Sequence, residues 1–314
     1  MFKKVLSLLV SVTMIFVLTS CNKNENKKAK ENEKQTETAA EKIVETEEIA
    51  EETAEEASEY SEESEAYEET VEVVDVTLIE NDDCSIKVTS VVPDYEFGYK
   101  LGLSMTNNSG VTLYFTTDKM AIDNLEIAGY FGEKVEPGKT MDGEIVFRKE
   151  SCAMAENLKY SDILLSLKVY DYDDEKEIYA EDIVHIYPDG EENAKVYKRD
   201  YRRNDRVLIN SNGLKLTLIN FDKDEYYAFA NVYLENNSEE EVAFSCKDVS
   251  VNGYMISTNF YVTLLPGTSG YAKISWANSA LAENNIDRVR NVGITIYARP
   301  VSSYDNIVEE TFSL

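Results

Sequence analysis

Cysteine, histidine and acidic side chains are the residues of this chain best suited to chemistry, and their spacing bounds what the chain can do. The 314 residues include one histidine, His185, and four cysteines. No two cysteines have the close spacing of a zinc site, and no nucleophile turn lies near His185. We therefore predict no catalytic residue, no metal, no cofactor and no enzyme activity, with His185 on a surface or edge strand.

The acidic residues are too abundant to indicate one reaction. A glycosidase uses a pair of carboxylates, but composition alone locates no such pair among 60 Asp and Glu residues. Carboxylates alternate through the loop 171–177 as calcium ligands can, yet Lys176 stands where an EF-type loop requires glycine. We expect a polar hairpin turn at this loop, and the same at Asp222 and Asp224.

Cys21 follows an apolar segment at the amino terminus. Lys3 and Lys4 precede about 14 uncharged residues, which suits a secretory signal and falls short of the roughly 20 residues of a spanning helix. Residues 18–21, Leu-Thr-Ser-Cys, resemble the bacterial lipobox. The resemblance implies that residues 1–20 are a signal peptide and that Cys21 carries lipid. The membrane is then a partner, and the protein is lipid-anchored on the extracellular side.

The other three cysteines have no cysteine at the equivalent position of the repeat described below. Cys84 and Cys152 could pair within the first copy, which would leave Cys246 unpaired. The alternative is three buried free thiols, because an odd count outside the cell does not form a complete disulfide framework.

Residues 22–75 differ in composition from the rest of the chain. They contain six lysines against twenty acidic residues, and no Gly, Pro, Phe or Trp. Such a segment cannot bury enough apolar surface to offset the cost of ordering. We predict a disordered acidic stalk over residues 21–75 that holds the folded part away from the membrane.

Residues 76–314 contain one unit twice, at an offset of 127 to 130 residues. The matching segments, in the same order in both copies, are 107–109 with 236–238, 137–138 with 266–267, and 153–157 with 280–284. A period of this length indicates duplicated domains and not a solenoid. We place the copies at 76–188 and 206–314, with an inter-domain linker at 189–205.

Each copy has the pattern of short strands. Apolar residues alternate with more polar ones over 101–105 and again over 230–234, and turn signals separate about seven such segments in each copy. This spacing predicts a two-sheet sandwich, with one short helix per copy after Ser151 and Asn278.

The repeated motifs also carry a resemblance to a known group. In its Asn-Asn-Ser turns, its Pro-Gly turns, and Asn252-Gly253 (matched in the first copy by Asp123-Asn124), the chain resembles exported Gram-positive lipoproteins with Ig-like repeats. The resemblance implies an all-β fold of two tandem Ig-like β-sandwich domains in an extracellular setting. It carries over no site residues.

The charge of the chain argues against nucleic acid as a partner, and the position of its basic side chains suggests other contacts. Residues 76–314 carry 23 basic and 40 acidic side chains, which argues against nucleic-acid binding. The basic side chains concentrate in and just after the linker, at Lys195, Lys198, Arg199, Arg202, Arg203 and Arg206. We expect a solvated linker, with contact to anionic lipid or cell-wall polyanions, or folding back of the acidic stalk, as alternatives.

A row of aromatic residues occurs in the second copy only. Tyr227, Phe229 and Tyr233 lie opposite the apolar row of their strand, where the first copy has Lys100 and Ser104 at the last two positions. An outward aromatic row could form a platform for sugar rings or for a partner protein. The alternative is that a loop, the helix or the other domain covers it.

These features favour a membrane-anchored extracellular lipoprotein that recognises, adheres to or scaffolds a surface protein or cell-wall glycan without catalysis. The alternative is an accessory subunit of an envelope transporter, sensor or cell-wall enzyme.

Overall fold

A computed structural model describes residues 76–94, 98–148, 154–155 and 157–314. The predicted signal peptide, Cys21 and the acidic stalk lie outside the described residues, as do Ser151 and Cys152. The described chain folds mainly as β-strands in antiparallel sheets, which confirms the prediction of an all-β sandwich fold.

Each copy contributes nine strands within the described ranges. Those of the first copy are β1 (Val76–Glu80), β2 (Cys84–Asp94), β3 (Gly98–Asn107), β4 (Leu113–Ile122), β5 (Leu125–Ile127), β6 (Phe131–Val135), β7 (Lys139–Arg148), β8 (Ile163–Asp171) and β9 (Asp174–Ile186). Those of the second copy are β10 (Arg206–Ser211), β11 (Leu214–Lys223), β12 (Tyr227–Asn236), β13 (Val242–Val251), β14 (Tyr254–Met255), β15 (Tyr261–Leu264), β16 (Ser269–Ala277), β17 (Val292–Pro300) and β18 (Val308–Ser313). A 3₁₀ turn (Glu191–Asn193) lies between the copies, and the helix α1 (Asn278–Glu283) precedes β17.

The two copies have the same topology. In the first, the sheet β1-β2-β3-β7 shares an apolar core with strands β4, β8 and β9, and β5 and β6 pair with β4. In the second, the sheet β10-β11-β12-β16 shares a core with β13, β17 and β18, and β14 and β15 pair with β13. Each strand of the first copy therefore corresponds to the strand nine places later, so the sequence repeat is a structural repeat.

Each sandwich is held together by the alternating rows that the sequence indicated. The predicted row at Leu101, Leu103 and Met105 is fully buried, as is the row at 230–234 in the second copy. Because successive strand residues point to opposite faces, each row lines the core while its neighbours face outward. Trp276, on β16, is the largest of the fully buried side chains.

The Asn-Asn-Ser segments form turns for a different reason from the one expected. Neither asparagine of either segment has a positive φ. Instead the buried Asn236 donates from Nδ2 to the main-chain oxygens of Glu240 and Leu264, both at 2.9 Å, and its Oδ1 accepts from Ser238. Asn107 makes the equivalent contacts in the first copy. The asparagine side chain of each motif thus links a turn to a neighbouring strand through buried hydrogen bonds.

The Pro-Gly turns and the helix of the second copy lie close to their predicted positions. Gly138 and Gly267 have φ values of 68° and 72°, the left-handed region that glycine tolerates, so both Pro-Gly pairs form turns. The helix of the second copy begins at Asn278, but its amide does not cap the helix. It donates to the main-chain oxygens of Asp224 and Glu225, which anchors the helix to a loop.

A single continuous sheet crosses from one sandwich to the other. β16 pairs in parallel with β5, at Ser269 with Leu125 and Gly270 with Glu126, and this joins the sheets of the two copies into nine strands. The main-chain N–H of Ser269 also donates to the oxygen of Asn124 at 2.9 Å. The two sandwiches consequently belong to one compact unit.

Two half-buried charged side chains secure this junction. Glu126 Oε1 accepts a hydrogen bond of 2.6 Å from the N–H of Leu265. Lys119 Nζ donates to the main-chain oxygen of Thr263 at 2.8 Å and lies 3.3 Å from Glu126 Oε2 and 3.1 Å from Glu241 Oε1. Lys119 and Glu126 come from the first copy and the other groups from the second, so the junction is a specific polar interface.

Within the part of the chain that the structure describes, no helix has the length and apolar character needed to cross a membrane.

Candidate functional site

Most residues of the inter-domain linker 189–205 are exposed, as predicted for a solvated linker, but Tyr197, Arg199 and Asp205 are half-buried. Its side chains alternate, and Tyr197, Arg199 and Tyr201 turn toward the outer face of the sheet β10-β11-β12-β16. The hydroxyl of Tyr197 lies 2.7 Å from that of Tyr271, and the guanidinium of Arg199 lies 6.0 Å from the ring centre of Tyr233. The linker therefore runs across the second sandwich as an additional layer.

A buried ion pair holds the linker in this position. Arg199 donates from both terminal nitrogens to Asp205, at 2.6 and 3.0 Å, and the two side chains are only 7% and 2% exposed. The hydrogen bond to Asp205 raises the pKa of Arg199, and the same bond lowers the pKa of Asp205. Asp205 also accepts from the main-chain N–H of Arg202 at 2.7 Å. Both charged groups are thus satisfied within the linker.

The linker overturns the predicted aromatic platform at two of its three residues. Phe229 and Tyr233 face outward on β12 as expected, but they are 6% and 3% exposed, and Tyr227 alone is open to solvent. Tyr197 from the linker meets the ring of Tyr233 edge-on, and Lys273 Nζ lies 3.9 Å above the ring of Phe229. Burial raises the pKa of Tyr233 to about 12. The row is an internal packing surface.

A cleft opens where the linker passes between the two sandwiches. Its volume is about 530 Å³, and both copies contribute to its walls. The charged side chains that line it are the cations Lys159, Lys195, Lys198, Arg199 and Arg202 and the carboxylates Asp123 and Asp200. In a chain of net charge −29, a concave surface with five cations and two carboxylates attracts anions against the overall charge.

Asp123 is a structural residue of the cleft wall. It is 2% exposed and has a φ of 52°. Its carboxylate accepts from the main-chain N–H groups of Lys159 and Ser161, at 2.5 and 2.9 Å, and its own carbonyl accepts from the N–H of Tyr197 at 2.6 Å. Asn252 holds the equivalent turn of the second copy through its side-chain oxygen. Asp123 therefore positions both Lys159 and the linker.

Three ammonium groups remain available at the cleft. The side chains of Lys159, Lys195 and Lys198 belong to exposed residues and form no ion pair with any residue that the structure describes. The main-chain N–H of Lys195 donates to Ser161 Oγ at 2.8 Å, which fixes the backbone beneath one of them. The backbone is thus fixed, while the charged ends are free to meet a ligand.

Asn231 provides the one buried polar atom of the cleft that lacks a partner among the described residues. It lies on the outer face of β12, is 7% exposed, and donates from Nδ2 to Asn220 Oδ1 at 2.7 Å. Its Oδ1 accepts no hydrogen bond there. A β-bulge between Leu218 and Asn220 sets the two amides opposite each other. The sequence did not single out Asn231 as a functional residue. The one available signal is that the first copy has Gly102 at the equivalent position.

His185 lies on β9, the edge strand of the nine-stranded sheet, and is not among the described residues that line the cleft. Its Nδ1 is 2.8 Å from Asp162 Oδ1, and the ring stacks on Tyr187. The hydrogen bond to Asp162 raises the pKa of His185. The structure thus pairs the histidine with a carboxylate at the sheet edge.

Two cysteines can be described. Cys84 is buried and Cys246 half-buried, and both are free thiols. Burial raises the pKa of each thiol, to about 11 for Cys246. Because Cys84 is a free thiol, the disulfide that the sequence left open at this residue is not formed.

The acidic loops close turns with their carboxylates. Asp171 accepts from the N–H of Asp173 at 2.8 Å in the β8–β9 turn, and Asp224 accepts from Tyr226 and Tyr227 before β12. Those two main-chain hydrogen bonds lower the pKa of Asp224. Over the described ranges, no group of three or more His, Cys, Asp or Glu side chains is arranged to hold a metal ion.

Comparison with known proteins yields only distant structural similarity. No family model and no curated protein matches the chain. A red sea bream transglutaminase structure is similar at a TM-score of 0.23 and 9% identity, over 75% of this chain and 31% of that protein. An exo-β-D-glucosaminidase structure gives 0.25 and 11%, over 72% and 26%. A Salmonella enterica pilin–chaperone complex gives 0.18 and 10%, over 68% and 89%. The chain spans less than a third of the first two proteins, and similarity at these scores carries no argument about function.

Proposed function

We propose that this chain is a non-catalytic recognition protein of the cell surface, anchored to the membrane through a lipid on Cys21. The cleft between the sandwiches contacts its partner, which is a surface protein or a cell-wall glycan. The observation that carries the proposal is a cation-lined cleft, built from both copies and the linker, in a strongly acidic chain.

The junction supports this role because it keeps the walls of the cleft in register. Lys119 and Glu126 join the copies beside β5, and Asp123 sits at the turn that precedes β5 and holds the linker. Binding sites often lie between domains, and they bind better when the supporting residues are already fixed. A recognition surface at this position would need little reorganisation on binding.

The test is capture of cell-wall material by the purified full chain. We expect the wild-type chain to retain a wall or surface component and the variant K195Q/K198Q to lose it, because the charges that face the ligand are removed. The matched control is K139Q/K176Q, which removes the same charge from exposed positions outside the cleft. Equal capture by the two double variants would show that the cleft is not the contact surface.

A second surface favours the alternative, an accessory subunit of an envelope transporter, sensor or cell-wall enzyme. Tyr254 and Met255 on β14 and Tyr261 on β15 are 52%, 71% and 61% exposed. Exposed apolar side chains beside an open strand are typical of protein docking surfaces. Under this alternative, Y254K/M255K abolishes co-purification of a membrane complex, whereas K195Q/K198Q leaves it unchanged.

A further inference from the structure

We propose that the ligand of the inter-sandwich cleft is a phosphate ester of a polyol, bound through its phosphate by Lys195 and Lys198 and through a hydroxyl group by Asn231. The inference rests on the proposed recognition function and specifies the chemical class of its ligand. Two independent features of the cleft carry it, one for each half of the ligand.

The cations of the cleft indicate that the ligand carries a phosphate group. Lys195 and Lys198 from the linker and Lys159 from the first copy all line the cleft. Ammonium groups bind phosphate oxygens as point charges through several donors, and such charge-assisted hydrogen bonds are stronger than neutral ones. Arg199 is already occupied by Asp205, so the lysines are the groups that remain to bind an anion.

Asn231 indicates that the ligand also carries a hydroxyl group. Its Oδ1 is buried in the cleft wall without a donor from any described residue, and its Nδ2 is held by Asn220 at 2.7 Å. A buried acceptor left in this state costs stability, which a ligand O–H relieves by donating to it. A simple inorganic anion would satisfy the lysines and leave Asn231 unchanged. A ligand that carries both a phosphate and hydroxyl groups satisfies both.

The charge of the whole chain favours a compact ligand over an extended polyanion. Fields from exposed charges are screened beyond about 8 Å at physiological ionic strength, so the lysines act on groups inside the cleft. The acidic surface outside it repels a long anionic chain. A cleft of about 530 Å³ is also within the usual size range of small-molecule sites.

The test is calorimetric titration of the full chain with glycerol 3-phosphate, with glycerol and inorganic phosphate titrated in parallel. We expect glycerol 3-phosphate to bind at least about tenfold more tightly than either fragment, since each fragment uses half of the site. K195Q/K198Q should weaken binding by about tenfold or more, and K139Q/K176Q should leave it unchanged. Equal affinity for phosphate and glycerol 3-phosphate overturns the proposal.

Asn231→Leu separates a binding role from a structural one. The variant should bind glycerol 3-phosphate about tenfold more weakly and change the thermal midpoint little, because it removes an unsatisfied buried acceptor but leaves Asn220 Oδ1 without its donor. A lowered midpoint with unchanged affinity would show that Asn231 serves the fold alone, and would overturn the assignment.

Two sources can supply this chemistry, and vesicles distinguish them. Phosphatidylglycerol vesicles present the same group as a lipid headgroup, while glycerol 3-phosphate presents it in solution. Binding of the soluble ester alone assigns a free ester as the ligand, and binding of the vesicles through Lys195 and Lys198 assigns the headgroup. Binding of neither overturns the ligand class. The proposed function still stands in that case if wall capture depends on the two lysines.

Discussion

At the scale of single residues, the buried ion pair between Arg199 and Asp205 decides where the linker lies. Both side chains are almost fully buried, and their two hydrogen bonds are short. A buried pair of this kind adds little stability relative to an apolar pair, but the loss of one partner leaves an unpaired buried charge. The pair thus specifies the position of the linker more than it stabilises the fold.

Arg199→Ala should therefore destabilise the protein strongly. We expect the free energy of unfolding to fall by about 3 kcal/mol, because the carboxylate of Asp205 stays buried without its partner. Urea unfolding measures the change. The double variant R199M/D205L is the matched control and should lose much less, since it leaves no buried charge. Equal losses in the two variants would contradict this account.

His185 gives the protein a pH-dependent contribution to stability. Its folded pKa is raised above the ordinary value of 6.5 by Asp162, so folding favours the protonated ring. The contribution is full below about pH 6.5 and is lost as the pH rises through the folded pKa.

Asp162→Asn should lower the pKa of His185 toward 6.5 and remove this pH dependence, because the anionic acceptor is lost. A proton NMR titration follows it directly, since the chain has a single histidine. The control is Asp182→Asn, on the same strand as His185. It should shift the pKa of His185 much less. An unchanged His185 pKa in the Asp162 variant would refute the pairing.

At the scale of elements, the two-residue parallel bridge between β16 and β5 is too short to join two domains alone. Lys119 and Glu126 supply further polar contacts across the junction, and Asn124 donates from Nδ2 to the main-chain oxygen of Gly267. At the places equivalent to Lys119 and Glu126 the second copy has Asp248 and Met255. The second copy therefore does not carry the residues to repeat the junction with the same chemistry.

Lys119→Met should uncouple the two sandwiches. It removes hydrogen bonds to Thr263 and leaves Glu126 and Glu241 without their cation, at a cost of about 1–3 kcal/mol. We expect calorimetry to show one thermal transition in the wild-type chain and two in the variant. Lys139→Met, at an exposed position, should keep one transition. A single unshifted transition in K119M would show that the strand pairing alone couples the copies.

At the scale of the whole molecule, the net charge and the proposed membrane anchor bear on the binding proposed for the cleft. Net charge of −29 keeps the chain soluble and disfavours non-specific contact with anionic surfaces. A cation-lined cleft in such a chain is selective, because only a ligand that enters it escapes the surrounding repulsion. A membrane anchor would add a high local concentration of envelope components.

Cys21→Ala tests the anchor. We expect the variant protein in the culture medium, or as an unprocessed precursor, because two or three acyl chains make release negligible and their absence permits it. Cell fractionation followed by immunoblotting measures the distribution, with Cys246→Ala as the control that should stay with the membrane. Membrane association of the Cys21 variant equal to wild type would refute the lipid anchor.

The sequence by itself determined the fold class and the duplication. Apolar residues at every second position, as at Leu101 and Leu103, specify which face of a strand is buried, and turns such as that at Gly138 are set by local backbone preferences. These are short-range properties, and the structure confirms the all-β sandwich. The same comparison of copies correctly identified the outer face of β12 as different in the second copy.

Only the tertiary structure decided what covers that face. Alternation shows that Tyr233 points away from the core, but whether it meets solvent depends on the path of the linker, which is fixed by Arg199, Asp205 and Asp123. The unpartnered oxygen of Asn231 likewise depends on a bulge in the neighbouring strand. Burial outside the core and the pairing of polar atoms depend on contacts between residues that are distant in the chain. The pattern of residue types along one strand does not predict such contacts.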